Sequence, residues 1–584
     1  MFLQHLPSLP LCYYDKKNNK VIFKLISDKE VTSVKIMYGD PYKFDKISQC
    51  DDPSINKWQW VYEEAVLQEQ YSSSDGVMWR CEITPPQTRR LKYAFAVTYK
   101  NGNRVYLSDN GISEYTDECI YTPYNHFHYP FIHEIDAPDV PAWVGETIWY
   151  QIFPERFYNG KPSISPKNAE SWDNDKPLSR SFYGGDLYGI IEKLPYIKSL
   201  GITGIYMTPV FKSPTNHKYD TQDYYTVDEH FGDKETLKEL VSKAHDLGIK
   251  VMLDAVFNHI GSKHEFWQDV LQHQEKSKYK DYFHVREFPV RAEYKDRDSL
   301  NYDTFAYAVN MPKWNTENPD ARKYLIDAAV YWIKECDIDG WRLDVSDEVS
   351  FSFWRDFNAA IAEHKKDVYI LGELWHDPAK WISGGYFDAV MNYPLGRTIT
   401  NFFLGKQPDP DIFAKQLTGK LMKFSDLHTG VQFNLLDSHD TARLLTQANG
   451  DKLTVKNSFL FMMLMKGTPC IYYGTEIGME GEHDPDCRRP MIWDEKKQDL
   501  NMLEFFKELI AIRKKYNKLV QNAKISYTRN KSLCCWTLAF ENEQLQICYN
   551  SGTDEIKLDN QTLLLTDNNV IGMLPGKTTA VCLI

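Results

Sequence analysis

The stretch GWRLDVSDE, Gly340 to Glu348, decides the fold. Its first half completes the apolar run IDGWRLDV, which reads as a strand buried on both faces, as in a parallel sheet. Arg342 and Asp344 interrupt that run. Lying two apart, they leave a strand on the same face, and a charged pair there costs stability unless the strand end uses it. Working outward, seven more short apolar runs share the pattern: TIWYQIF, GITGIYMTPV, KVMLDAVF, VYILGEL, FDAVMNY, VQFNLLD and PCIYYG. Between them lie amphipathic, helix-like runs such as ETLKELVSKAHDLG, ARKYLIDAAVYWIKEC and LEFFKELIAIRKKY. Strict alternation of eight strands with helices predicts an α/β fold, a (β/α)8 TIM barrel over residues 143–516. From Phe257 to the helix near Pro319 the connection far exceeds the usual few residues of a βα loop. An inserted subdomain after strand 3, at about 257–319, is expected.

At 584 residues the chain is too long for one core. Residues 1–124 carry short alternating runs, KVIFKLI and VTSVKIMYGD among them, and YAFAVTY faces RVYL across a turn at Lys100 to Asn103. This predicts an N-terminal β-sandwich of carbohydrate-binding-module type. Residues 125–142, with three prolines, read as a linker. Residues 517–584, with SLCCWTLAF and QLQICYN, predict a C-terminal antiparallel β domain.

The formal charge of −13 argues against nucleic acid or an anionic membrane as partner, since both need a basic face. No apolar run reaches the roughly 18 residues that span a bilayer, and the first residues lack a basic leader. Eleven cysteines without a CxxC pair indicate neither a disulfide framework nor a zinc site. A cytoplasmic protein with reduced thiols is expected. Aromatic residues make up 14% of the chain and suit both cores and stacking on sugar rings. His126, His128 and His133 lack the cysteine or paired carboxylate of a metal site.

In a barrel of this kind the chemistry sits at the C-terminal strand ends. Strand 3 ends in Asp254, Asn258 and His259, strand 4 in Arg342 and Asp344, strand 5 in Glu373 and Trp375, and strand 7 in Asp437, His439, Asp440 and Arg443. Three convergent carboxylates, Asp344, Glu373 and Asp440, with imidazoles and a guanidinium, are what glycosidic bond cleavage requires. One attacks the anomeric carbon, a protonated second gives its proton to the leaving oxygen, and a third holds hydroxyls of a distorted sugar. Arg342 is expected to keep Asp344 ionised by lowering its pKa.

These segments carry a resemblance. DAVFNH, GWRLDVSDE, GELWHD and LLDSHD resemble, in order and spacing, the four signature regions of the α-amylase family of glycoside hydrolases (family 13). NHKYDTQDYYTVD, MPKWN and DPDCRRPMIW, with YGDPY and PPQTRRLKYAF in the N-terminal block, are most similar to its neopullulanase, cyclomaltodextrinase and maltogenic amylase branch. The resemblance implies a retaining enzyme with Asp344 as nucleophile, Glu373 as general acid/base and Asp440 as transition-state stabiliser. It further implies His259, Arg342 and His439 around the reacting sugar, Tyr219 stacked beneath it, and Asp484 and Arg488 on the next sugar. Glu348 and Trp375 would face the acceptor. The implied substrates are cyclodextrins, maltooligosaccharides and pullulan, with transglycosylation as a second outcome, and the implied assembly is a homodimer through the N-terminal domain.

Three positions depart from the pattern. Ser346-Asp347 replaces Ala-Asn, adding a charge near the acceptor. Trp314 stands where leucine is usual, and two readings stand, a filler of the inserted subdomain's core, which is favoured, or an added stacking surface. In relatives the loop after strand 1 holds calcium, whereas FYNGKPSISP, Phe157 to Pro166, offers Asn159, Lys161 and Ser165, with Gly184 and Asp186 later. Calcium takes oxygen ligands, so Lys161 is expected to replace the ion and no cofactor is required. The competing readings are a non-catalytic glucan-binding protein on an inactive barrel and an open-cleft, starch-preferring α-amylase.

Overall fold

The computed structural model describes residues 2–46, 58–72, 76–122, 124–293, 299–558, 562–566 and 573–584. Its centre is a parallel barrel of eight strands: β1 Trp149–Ile152, β2 Gly204–Met207, β3 Lys250–Ala255, β4 Gly340–Leu343, β5 Tyr369–Gly372, β6 Ala389–Val390, β7 Phe433–Asn434 and β8 Thr468–Tyr472. Neighbours pair in parallel from β6 through β5, β4, β3, β2, β1 and β8 to β7. A bridge from Met391 to Phe433 closes the ring. All eight strands sought in the sequence are present, and each of β1, β2, β4, β5, β6, β7 and β8 is buried at every residue. That is why they read as continuous apolar runs.

The intervening helices start on side-chain caps written in the sequence. Asp233 and Thr236 form a reciprocal capping box on helix α1, Lys234–Asp246. Asn318 caps α2, Pro319–Cys336, whose first residue is a proline, and Asp337 ends it in the left-handed conformation. Between β3 and α2 lies the inserted subdomain. It is tied back by the bridges His259 to Lys313, Phe283 to Trp314, Val285 to Tyr302 and Thr304 to Pro312. Trp314 is 1% exposed, stacks on Phe283 at 5.0 Å and donates to the Tyr224 hydroxyl at 3.2 Å. It is a core residue of the insertion.

The N-terminal block is a β-sandwich in which strand Glu63–Ser72 serves both sheets, pairing with Val31–Gly39 through one half and Val77–Ile83 through the other. Val21, Phe23, Leu25, Val34, Ile36, Leu67 and Phe95 fill the space between. The hairpin predicted at Lys100 to Asn103 is present, with Gly102 at φ 85°. Part of the segment expected to be linker belongs to the sandwich: Phe127–Tyr129 forms a strand against Leu91–Tyr93. The C-terminal strands Lys524–Asn530, Leu533–Phe540, Glu543–Asn550, Thr579–Leu583 and Thr562–Thr566 form an antiparallel sheet. This sheet joins the sandwich through a parallel contact of Ile525 with Tyr71. Local sequence pattern does not encode that long-range pairing. Cys534 faces the main core and Cys535 a separate cluster, as neighbours on a strand must. The ten described cysteines are free.

Candidate active site

Register brings the charges together. Asp254 in β3 and Arg342 in β4 are partners across neighbouring strands, and Asp344 follows one pleat later. Arg342 has no exposed surface. Its Nη1 donates to Asp254 at 3.0 and 3.1 Å and to Asp344 at 2.8 Å, while Nη2 pairs with Glu373 at 2.9 Å. One guanidinium thus gathers three buried carboxylates, and their excess negative charge favours a proton on the cluster.

The consequence corrects one expectation. Arg342 does pull the Asp344 carboxyl downward, but burial is larger and the neighbouring Glu373 charge opposes it, so Asp344 lies well above the ordinary aspartate range. Asp254 is pushed up to about 6, chiefly by burial, against the pull of Arg342 and Tyr206. The arginine opposes that protonation without outweighing burial. It fixes the position of three acids that would otherwise repel one another.

A second layer orients the site. The hydroxyls of Tyr206 and Tyr219 donate to Asp254 at 2.6 and 3.0 Å. Tyr219 stacks on His439 with rings 5.6 Å apart and 5° from parallel, its oxygen 2.6 Å from Nε2. The Gln151 amide donates to His439 Nδ1 at 2.6 Å, which leaves the imidazole proton on Nε2, facing Tyr219 and, at 3.2 Å, Asp440. Burial, helped by Arg488 and Arg342, holds His439 far below the ordinary histidine value, so it is neutral. Arg488 reaches Asp440 at 3.3 Å and Asp484 at 3.0 Å.

Glu373 is gripped at both oxygens, by the Val345 backbone N–H at 3.0 Å and by Trp375 Nε1 at 3.1 Å. Val345 pays a conformational cost for this contact. Its φ of 45° and ψ of 44° lie in the left-handed region, which a β-branched residue enters only under constraint. Trp375, 41% exposed, stacks on Tyr393 at 3.8 Å and presents its other face to the cleft. Lys313 pairs with Glu348 at 2.9 Å and also bonds Asn258.

The cleft holds about 530 Å³. Of the eleven residues singled out from sequence, Tyr219, His259, Asp344, Glu348, Glu373, Trp375, Asp440, Asp484 and Arg488 line it, while Arg342 and His439 support its floor. Burial and the Lys313 charge push His259 down to about 3. Its Nε2 is buried with no hydrogen-bond partner among the described residues, a donor or acceptor available to a sugar hydroxyl. The sequence reading missed His217, Phe305 and Met311, which also line the cleft. His217 lies in the quoted NHKYDTQD segment, two residues from Tyr219, and could have been found there. Phe305 and Met311 come from the insertion, whose folding back no local pattern reveals. The added charge of Asp347 meets His376 at 2.8 Å at the cleft edge.

In the loop after β1 the polar groups largely bond one another. Asp186 spends its carboxylate on backbone donors, Gly189 at 2.7 Å, Lys161 at 2.8 Å and Gly160 at 3.2 Å, and so caps helix Leu187–Ser199. The Lys161 ammonium bonds the Tyr188 hydroxyl at 3.2 Å and lies 4.4 Å from its ring centre. Asn159 Nδ2 donates to Ser165, leaving Asn159 Oδ1 buried and unbonded among the described residues.

Two family models match: "Alpha amylase, catalytic domain" over residues 151–533 and "Alpha amylase, N-terminal ig-like domain" over residues 1–133. A cyclomaltodextrinase of Geobacillus thermopakistaniensis (strain MAS1) is 48% identical over 493 residues, covering 84% of this chain and 80% of that protein. An intracellular maltogenic amylase of Bacillus subtilis is 43% identical over 515 residues, 88% of this chain and 84% of its own. A solved cyclomaltodextrinase structure superposes with a TM-score of 0.89 at 38% identity, covering 99% of both chains.

Proposed function

The chain belongs to the α-amylase family of glycoside hydrolases, and from that premise we propose that it cleaves α-1,4-glucosidic bonds of cyclodextrins, maltooligosaccharides and pullulan with retention of configuration. The observation that carries this reading is the shared Arg342 guanidinium. It holds the Asp344 and Glu373 carboxyls against one cation, which supports the close spacing of roughly 5 Å that a covalent intermediate needs over the wider inverting one.

Asp344 is the nucleophile, at the end of β4 and aimed by Arg342. Glu373, oriented by Val345 and Trp375, gives its proton to the leaving oxygen and recovers one from the water or sugar that attacks next. The proton that burial drives onto the carboxylate cluster must sit on Glu373 rather than Asp344 for attack to occur. A sugar acquiring positive charge at its anomeric carbon favours that distribution, because it stabilises an ionised Asp344. Asp440, His439 and neutral His259 bind the hydroxyls of the distorted ring, Tyr219 stacks beneath it, and Asp484 and Arg488 hold the adjoining sugar. Glu348 and Trp375 bound the acceptor side, where a sugar in place of water yields transfer.

The loop after β1 supports an enzyme that needs no calcium. Free cysteines and a relative named intracellular support a cytoplasmic location, and among the described residues no helix is long and apolar enough to cross a membrane. A homodimer through the N-terminal domain is the assembly proposed.

The test is initial rates on β-cyclodextrin, pullulan and soluble starch, beside a Glu373→Gln control. β-Cyclodextrin ahead of starch is expected, with kcat in the control reduced by about 10²- to 10⁴-fold. Starch ahead of both would establish an open-cleft amylase, and activity untouched in the control would remove Glu373 from the chemistry.

A further inference from the structure

Where the three domains meet, a cavity of about 480 Å³ opens between the sandwich strands Glu63–Ser72 and Val77–Ile83, the barrel residues Asp426 and Lys466, and the C-terminal strand Lys524–Asn530. It is remote in the fold from the strand ends that build the catalytic cleft, since Lys466 precedes β8 at the opposite mouth of the barrel. Its inner wall is ionic. Asp426 accepts from Lys24 at 2.6 Å, Gln70 at 3.1 Å and Arg80 at 2.7 Å. Two cations therefore already serve one carboxylate. Arg80 has a further partner in the exposed Glu82 at 2.7 Å, and Glu69 lies on the outer wall.

Lys466 is a third cation drawing on the charge of the same Asp426. The residue is 3% exposed, and among the described residues its ammonium makes no hydrogen bond, lying 5.0 Å from the centre of the Tyr71 ring. The Tyr71 hydroxyl and Gln70 Oε1 beside it are buried and equally unbonded among the described residues. Three cations thus draw on one carboxylate, and Lys466 stands at a cavity large enough for a polyatomic ligand. We propose that this three-domain junction binds a phosphate group, as inorganic phosphate or as the phosphoryl end of a hexose phosphate, held by Lys466 and Arg80.

The site does not depend on the glycosidase reading. A halide would supply charge but neither fill the space nor accept from two separated donors at once. Burial pulls Lys466 down to about 8, opposed by Asp426 and reinforced by Lys24 and Arg80. A bound dianion would restore its proton. Because the donors come from the sandwich and the barrel, and the cavity closes only against the C-terminal strand, binding requires the assembled molecule. It therefore stabilises the assembled fold by mass action.

The experiment uses the full chain, with thermal melts and calorimetric titrations of inorganic phosphate, a hexose phosphate, sulfate and chloride at matched ionic strength. A saturable rise in Tm with phosphate or hexose phosphate, absent with chloride, is expected, and the tighter of the two identifies the source. Lys466→Met should weaken phosphate binding by about tenfold or more while leaving maltooligosaccharide hydrolysis unchanged, and Lys466→Arg should retain it. Sulfate does not titrate in this range, so its affinity for the wild-type chain should fall as pH rises through about 8, a readout that needs no variant. Equal Tm in phosphate and chloride, or undiminished binding by Lys466→Met, would overturn the proposal.

Discussion

Asp254 shows how a residue outside the reacting set controls the site. It accepts from Arg342, Tyr206 and Tyr219, so the positions of Asp344, Glu373 and His439 all pass through it. Burial sets its carboxyl at about 6 against an ordinary 3.8. The folded protein therefore holds a proton there that the unfolded chain has already released between those values. Stability from this group is fully present below about 3.8 and is lost as pH rises through about 6, a swing of roughly 3 kcal/mol at most. Asp254→Asn removes the titration. Thermal melts from pH 4 to 7 should show the Tm of the variant, relative to wild type, climbing with pH and levelling above 7. A difference independent of pH would mean that Asp254 titrates normally. Activity should fall in the variant at every pH, because Arg342 loses the partner that anchors it between strands.

At the scale of elements, the barrel strands were legible because a parallel strand buried on both faces has to be apolar throughout, and the exceptions fall where a side chain works. The same rule that exposed β4 exposed Arg342 and Asp344. Less legible were elements whose reason lies elsewhere in the chain: strand Phe127–Tyr129 exists only because Leu91–Tyr93 offers it an edge, and Phe305 reaches the cleft only because the insertion folds back on His259. The loop after β1 is intermediate. Its composition indicated that Lys161 replaces an ion, and its order also draws on backbone donors to Asp186 and on close backbone approach, where a Cβ on Gly160 would run into Gly189 and one on Gly189 into the Tyr158 carbonyl. We propose that this construction holds without an ion. Melting the protein in excess chelator should leave Tm and the rate on β-cyclodextrin unchanged, and a drop of several degrees reversed by calcium would show that Asn159 Oδ1 belongs to a metal site after all.

On the scale of the whole molecule, the sequence divides into three blocks but does not reveal that the outer two share a sheet through Tyr71 and Ile525. A single backbone contact between distant segments leaves no periodic trace. That continuity joins the sandwich to the C-terminal domain. The surface of the N-terminal block is unusually apolar: of the sixteen large hydrophobic residues exposed among those described, ten fall within residues 2–135, from Phe2 to Ile135. A second copy of the chain is the partner proposed for this domain. If pairing lays the sandwich of one copy across the cleft of the other, the dimer should exclude bulky starch while admitting β-cyclodextrin. Light scattering at micromolar concentration should then give twice the chain mass, and dilution or salt that yields monomers should raise the starch rate relative to the cyclodextrin rate. A monomer that still prefers cyclodextrin would place selectivity within the single cleft, with Trp375, Glu348 and the insertion residues Phe305 and Met311 as the walls to be changed next.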